Sequence, residues 1–185
     1  MKFKILSLLL VSFILLNAQT KTPEIVTAAA KKNIGKVKKC IRKGDNINAK
    51  SRSKWSALSY SVKNNDLIMA KLLLENGADV DITINTKESP LLMSAKYNNS
   101  RIAKLLIQNG ADVNFKDIMK FTVVHWAAKN GNTDLLNLLL SNGANINARN
   151  INGRSPLDVA KPNVKNYLKD KGAKTGKQLF KEATS

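Results

Sequence analysis

Asn109-Gly110-Ala111-Asp112-Val113-Asn114 decides the architecture of this chain, because near copies of it recur. Asn76-Gly77-Ala78-Asp79-Val80-Asp81 and Asn142-Gly143-Ala144-Asn145-Ile146-Asn147 are two, and Gly44-Asp45-Asn46-Ile47-Asn48-Ala49 is a looser third. Gly44, Gly77, Gly110 and Gly143 stand 33 residues apart. A fixed period of that length marks small units stacked on one another, not a domain around one central core.

Outward from the glycine, each unit reads as helix, turn, helix, loop. In the fourth unit Thr122 is placed to cap a first helix over Val123–Lys129, which Asn130-Gly131 break. Asp134 falls in the first turn of a second helix, where negative charge meets the positive dipole end. Leu135, Leu136, Leu138 and Leu139 give that helix an apolar face at helical spacing. Gly143 closes it at a position that favours φ > 0. Ser56, Ser89 and Ser155 match Thr122 as caps, and Pro90 and Pro156 take the first helical position, where a missing N–H costs little.

The outer units differ. In the fifth, Gly172-Ala173 fits the glycine's context better than Gly176, yet lies only 17 residues after the Ser155 cap instead of 21. Four residues are then lost near Pro162-Asn163, and Lys165 and Lys169 fall where other units are apolar or alanine. In the first unit Lys36 and Lys39 take apolar positions. Both patterns suit terminal units with one wet face.

Ser89-Pro90-Leu91-Leu92-Met93-Ser94-Ala95 and Thr122-Val123-Val124-His125-Trp126-Ala127-Ala128-Lys129-Asn130-Gly131 resemble the ankyrin-repeat pattern T-P-L-H-x-A-A-x-x-G, and the Gly-Ala-Asp-Val-Asn stretches resemble its loop. The resemblance covers roughly residues 23–173. It implies an all-α solenoid of about five helix-turn-helix units, with antiparallel helix pairs and hairpin-like connecting loops. It also implies protein–protein recognition as the usual job, and a structural, hydrogen-bonding role for His125. The family commonly has a glycine two residues before the cap. Gly153 keeps it, while Lys54, Lys87 and Lys120 replace it. Either those loops still need φ > 0, at roughly 1 kcal/mol of strain per lysine, or the tips adopt another turn.

The repeat domain is expected over residues 19–172, with units near 23–50, 51–83, 84–116, 117–149 and 150–172 and a basic tail over 173–185. Before it, Met1-Lys2-Phe3-Lys4 is a basic start, Ile5–Leu16 an uncharged apolar run, and Ala18 a small residue suited to cleavage. Residues 1–18 therefore read as a secretory signal peptide, with a short uncleaved anchor as the alternative. The mature chain is expected to have no transmembrane segment, to be exported to a periplasm or the exterior, and to be a monomer.

Composition narrows the chemistry. Cys40 is the single cysteine and His125 the single histidine, so no zinc site can be built from those ligands. Cys40 shares its column with Leu73, Leu106 and Leu139, which makes it a small buried hydrophobe. The few acids mostly belong to loops and helix starts. Thr175-Gly176-Lys177 lacks the upstream glycine spacing of a phosphate loop. No catalytic constellation, metal site or cofactor site is read from the chain, and no small-molecule substrate is expected.

Net charge is +18. Residues 21–50 hold nine Lys or Arg against two acids, residues 148–185 nine against three, and the centre eleven against eight. Much of this charge solvates the terminal units, yet the summed field favours anionic partners.

Stacking turns sequence columns into surface stripes, with residues 33 apart lying on the order of 10 Å from one another. Trp55, Glu88, Phe121 and Arg154 form the column before the caps. Its two aromatics, with Ile118 and Met119 beside Phe121, are candidate binding anchors unless the tips simply pack on their neighbours. Tyr60, Met93, Trp126 and Val159 form a second column, serving either the core or a partner contact. Lys63, Lys96 and Lys129 form a third, with Tyr97 expected to be exposed beside it, and Lys54, Lys87 and Lys120 a fourth. The candidate contact set is Trp55, Lys63, Lys96, Tyr97, Ile118, Met119, Phe121, Trp126 and Lys129. Two functions fit: gripping a protein partner with an acidic surface, or electrostatic binding of an anionic envelope polymer or membrane surface. Nucleic acid is the weakest version of the second, since no recognition helix or base-stacking module is visible.

Overall fold

A computed structural model describes residues 22–185. The signal-peptide expectation for residues 1–18 lies outside the described residues. Ten helices form five successive pairs: α1 Glu24–Ala30 and α2 Ile34–Arg42; α3 Ala57–Lys63 and α4 Leu67–Glu75; α5 Pro90–Lys96 and α6 Ser100–Gln108; α7 Val123–Asn130 and α8 Thr133–Ser141; α9 Pro156–Val159 and α10 Pro162–Asp170. An eleventh, α11 Gly176–Thr184, follows them. Among the described residues there is no strand, only an isolated bridge between Lys50 and Ser56. The fold is an all-α solenoid.

Local chemistry sets the helix boundaries. The hydroxyls of Ser56, Ser89 and Ser155 accept the backbone N–H of Ser59, Leu92 and Asp158. Thr122 and His125 close a capping box at the start of α7. Pro90 and Pro156 occupy the first turns of α5 and α9. Gly44, Gly77, Gly110, Gly143 and Gly172 all have φ between 75° and 84°. Gly172 is thus the fifth member of the ladder, while Gly176 opens α11. The four missing residues shorten α9 to a single turn of four residues.

Each first helix packs on the first helix of the next unit, and these contacts are closer than those between successive second helices. The first helices therefore make the inner row. The core runs between the rows as one cluster, from Ile25 and Val26 through Leu91, Leu92 and Leu136 to Val164 and Leu168. Cys40 is buried with Leu73, Leu106 and Leu139. Burial, then the nearby Asp45 carboxylate, push its thiol pKa up, so it stays protonated and serves packing. Lys36, Lys39, Lys165 and Lys169 are exposed, leaving the wet faces expected of the end units.

Side-chain ladders join the units. Asn48, Asn114 and Asn147 accept the N–H of Asp79, Asn145 and Lys174, each at 2.8 Å. Their amides also donate to the carbonyls of Gly77, Gly143 and Gly172. Asp81 holds the same position and accepts from Asp112 N–H at 3.2 Å, but a carboxylate has no proton for the matching glycine.

Candidate partner-binding face

The loops between units close as hairpins. Ser51, Ile84, Asp117 and Asn150 each donate their N–H to the carbonyl of the residue four further on, at 2.8 to 3.2 Å. Lys54, Lys87 and Lys120 sit at the bend with φ of 60°, 56° and 57°, matching Gly153 at 73°. The tips thus keep the left-handed bend although lysine has replaced glycine, and all three lysines are exposed. Successive tips join where Ile118 N–H donates to Thr86 O at 3.3 Å and Ile151 N–H to Met119 O at 3.0 Å.

The aromatic residues before the caps fold back onto the first helices. Trp55 lies 5.0 Å from Tyr60, and Phe121 5.3 Å from Trp126, between ring centroids. All four are half-buried. Met93, in the same column as Tyr60 and Trp126, is fully buried, so that column is part core and part surface. The lysine column caps the rings: Lys63 Nζ lies 5.1 Å from the Trp55 ring, and Lys129 and Lys96 lie 4.7 and 5.5 Å from Trp126. Such cation–π contacts contribute about 0.5–1 kcal/mol each at exposed sites. Glu88, buried between the two aromatic tips, pairs with Lys96 at 2.6 Å. Lys96 is therefore engaged internally, whereas Lys63 and Lys129 stay exposed over their rings.

Tyr97 is 42% exposed, and its neighbours explain how. Asn64 and Asn130, one unit either side, reach the carbonyls of Ala29 and Ala95 in the preceding first helix. The equivalent carbonyl for Tyr97 is Val62, and Asn99 bonds it instead, at 2.8 Å. Asn33, Asp66 and Asn132, which match Asn99, each cap their second helix with the side chain. Asn99 makes no such cap on α6. Asn99 thus fills the ladder position that Tyr97 leaves open, and α6 goes without its cap, a contact whose usual worth is about 1 kcal/mol.

His125 is fully buried. Its Nδ1 accepts from Thr122 N–H at 3.2 Å, so Nε2 carries the proton and donates to Arg154 O, 3.0 Å away in the next unit. Burial lowers its pKa, which keeps the ring neutral. It stitches the fourth unit to the fifth.

Ile118 and Met119 are 53% and 43% exposed at their tip. Ile151, 56% exposed beside them, belongs to the same patch. Its sequence signal was its place one period after Ile118. Away from this face, a shallow groove of about 350 Å³ runs between α2 and α4, lined by Gly35, Ile41 and Leu72 among others.

Stacked helix pairs joined by hairpin tips define a helical repeat protein. The family model for ankyrin repeats (3 copies) matches residues 25–117 and 91–178. The chain belongs to the ankyrin-repeat family, whose members are generally protein–protein interaction modules and typically not enzymes. A search among curated proteins finds no match.

Proposed function

We propose that this chain is an exported interaction module, acting in a periplasm or outside the cell, that holds an acidic protein partner on its inner row and loop tips. The observation that carries the reading is Tyr97. At this position, between two intact rungs, the asparagine ladder is interrupted and a helix cap given up, and the residue gained is an exposed aromatic between Lys63 and Lys129 in the stack. Tyrosine is among the residues enriched at the energetic centres of protein interfaces.

The contact set divides by role. Tyr97, Lys63 and Lys129 face solvent and touch the partner. Trp55, Phe121 and Trp126 form half-buried platforms that hold those lysines, and Lys96 is held against Glu88 and Trp126. Ile118 and Met119 supply apolar contacts at the rim. The reading is tested with a cross-linked partner: Tyr97→Ala should weaken binding by about 2 kcal/mol, near thirtyfold. Unchanged affinity in Tyr97→Ala and Lys129→Ala alike contradicts the proposed face.

A further inference from the structure

Four large apolar side chains stand out from the solenoid toward its C-terminal end: Ile118, Met119, Ile151 and Phe180. They form a chain of neighbours. Ile151 N–H bonds Met119 O, and Arg149, two residues before Ile151, lies 5.8 Å from the Phe180 ring. Phe180 belongs to α11, which is pinned at its start. Gly176 N–H donates to Asp158 Oδ2 at 2.7 Å, and Lys174 N–H to Asn147 Oδ1 at 2.8 Å. Gly176 approaches the Gly153 carbonyl so closely that any Cβ there would overlap it. Beyond that anchor the helix is largely exposed, with Phe180 57% accessible.

Cations predominate around this edge. Lys116, Lys120, Arg154, Lys177 and Lys181 are exposed, while three nearby acids are engaged, the first of them Asp158, which accepts the Gly176 N–H. Asp117 is buried and accepts the N–H groups of Met119 and Phe121 in its own tip. Glu182 pairs with Lys174 at 2.8 Å. Exposed aliphatic and aromatic tips flanked by cations match an anionic interface with an apolar layer beneath it.

We propose that this edge, the third and fourth inter-unit hairpin tips together with α11, docks on the surface of an anionic lipid bilayer. The aliphatic tips and Phe180 enter the headgroup layer and the lysines meet the lipid phosphates, each contributing through its own term. The inference does not rest on the protein-partner reading. It uses the outer tips and the tail, and Ile118 and Met119 are the only residues common to both surfaces.

An environment-sensitive fluorophore on Ile151→Cys of the full chain, mixed with vesicles of about 30 mol% phosphatidylglycerol in phosphatidylcholine, tests it locally. The expected result is a blue shift with severalfold brightening at position 151 and none on Ile68→Cys, a site 72% exposed on the outer row. The apolar run Ile5–Leu16 is common to both labelled chains, so the difference between positions 151 and 68 is read free of it. The triple variant Ile118→Ser/Ile151→Ser/Phe180→Ser should lower vesicle partitioning at least about tenfold while its melting temperature stays unchanged. Three outcomes overturn the proposal: no response at position 151, an equal response at 68, or the same response to soluble polyglutamate without vesicles. The last would assign the edge to an acidic chain.

Discussion

Asn99 donates its side-chain N–H to the carbonyl oxygen of Val62, 2.8 Å away in the preceding unit. In the flanking units that bond comes from Asn64 and Asn130, two positions earlier in the repeat. The exchange accounts for two features together: an uncapped α6 and an exposed Tyr97.

Tyr97→Asn should therefore restore the ladder and free Asn99 to cap α6. The variant is expected to be more stable by about 1 kcal/mol, read as a higher urea midpoint with unchanged slope. Lower stability would mean that Tyr97 packs usefully and is not held for a partner.

The hairpin lysines carry a second cost. Lys54, Lys87 and Lys120 sit at φ near +60°, where a side chain is strained and glycine is not. Each Lys→Gly change should stabilise the fold by up to about 1 kcal/mol, and Lys87 and Lys120 are the pair expected to depart from additivity, since Ile118 N–H bonds Thr86 O between their tips. Chemical denaturation of the single and triple variants checks both statements. Gly153, already at this position in the last hairpin, is the internal reference.

Asp81 interrupts the loop ladder in a different way. Desolvation raises its pKa, outweighing the Asp112 N–H bond, and Asp112 and Asp79 add to the rise. A raised carboxyl pKa means that the fold prefers the protonated form. Asp81 is therefore harmless below its ordinary value of 3.8 and destabilising once pH passes its folded value. Asp81→Asn should stabilise at neutral pH by about 1 kcal/mol, by adding the donor that Asn48, Asn114 and Asn147 supply to their glycines. The gain should shrink in acid, which parallel melts at pH 7 and pH 3.5 would register.

His125 works with the opposite sign. Its folded pKa is depressed by burial, so its contribution is complete above the ordinary value of 6.5 and is lost as pH falls toward the folded value. The unfolded chain then takes up a proton that the fold refuses, at a slope of up to about 1.4 kcal/mol per pH unit. It is the only histidine, so the slope between pH 6.5 and 5.5 isolates it. A His125→Asn variant should be less stable at pH 7 and nearly flat across that window.

What the sequence disclosed follows from the range of each interaction. The glycine ladder, the Ser and Thr caps and the slip to Gly172 are local, and a residue with its near neighbours specifies them. The lysine bends were legible only as a choice between strain and another turn, because side-chain chemistry does not fix φ; the fold takes the strained bend. The columns placed Trp126 near Lys129, yet a column cannot show that Lys96 reaches both Glu88 and the Trp126 ring, which depends on rotamers. The role of Asn99 was not legible either, since its bond to Val62 spans 37 residues. The tail read only as basic for the same reason: Asp158, 18 residues upstream of Gly176, holds the start of α11.

The central claim is that the inner row around Tyr97 touches the partner. A photo-crosslinking amino acid placed at position 97, and separately at Ile68 on the outer row, tests it most directly in the native setting. The account predicts adducts from position 97 to a protein with an acidic surface, blocked by Lys63→Glu/Lys129→Glu, and none from position 68. Adducts from position 68 with none from 97 would contradict it.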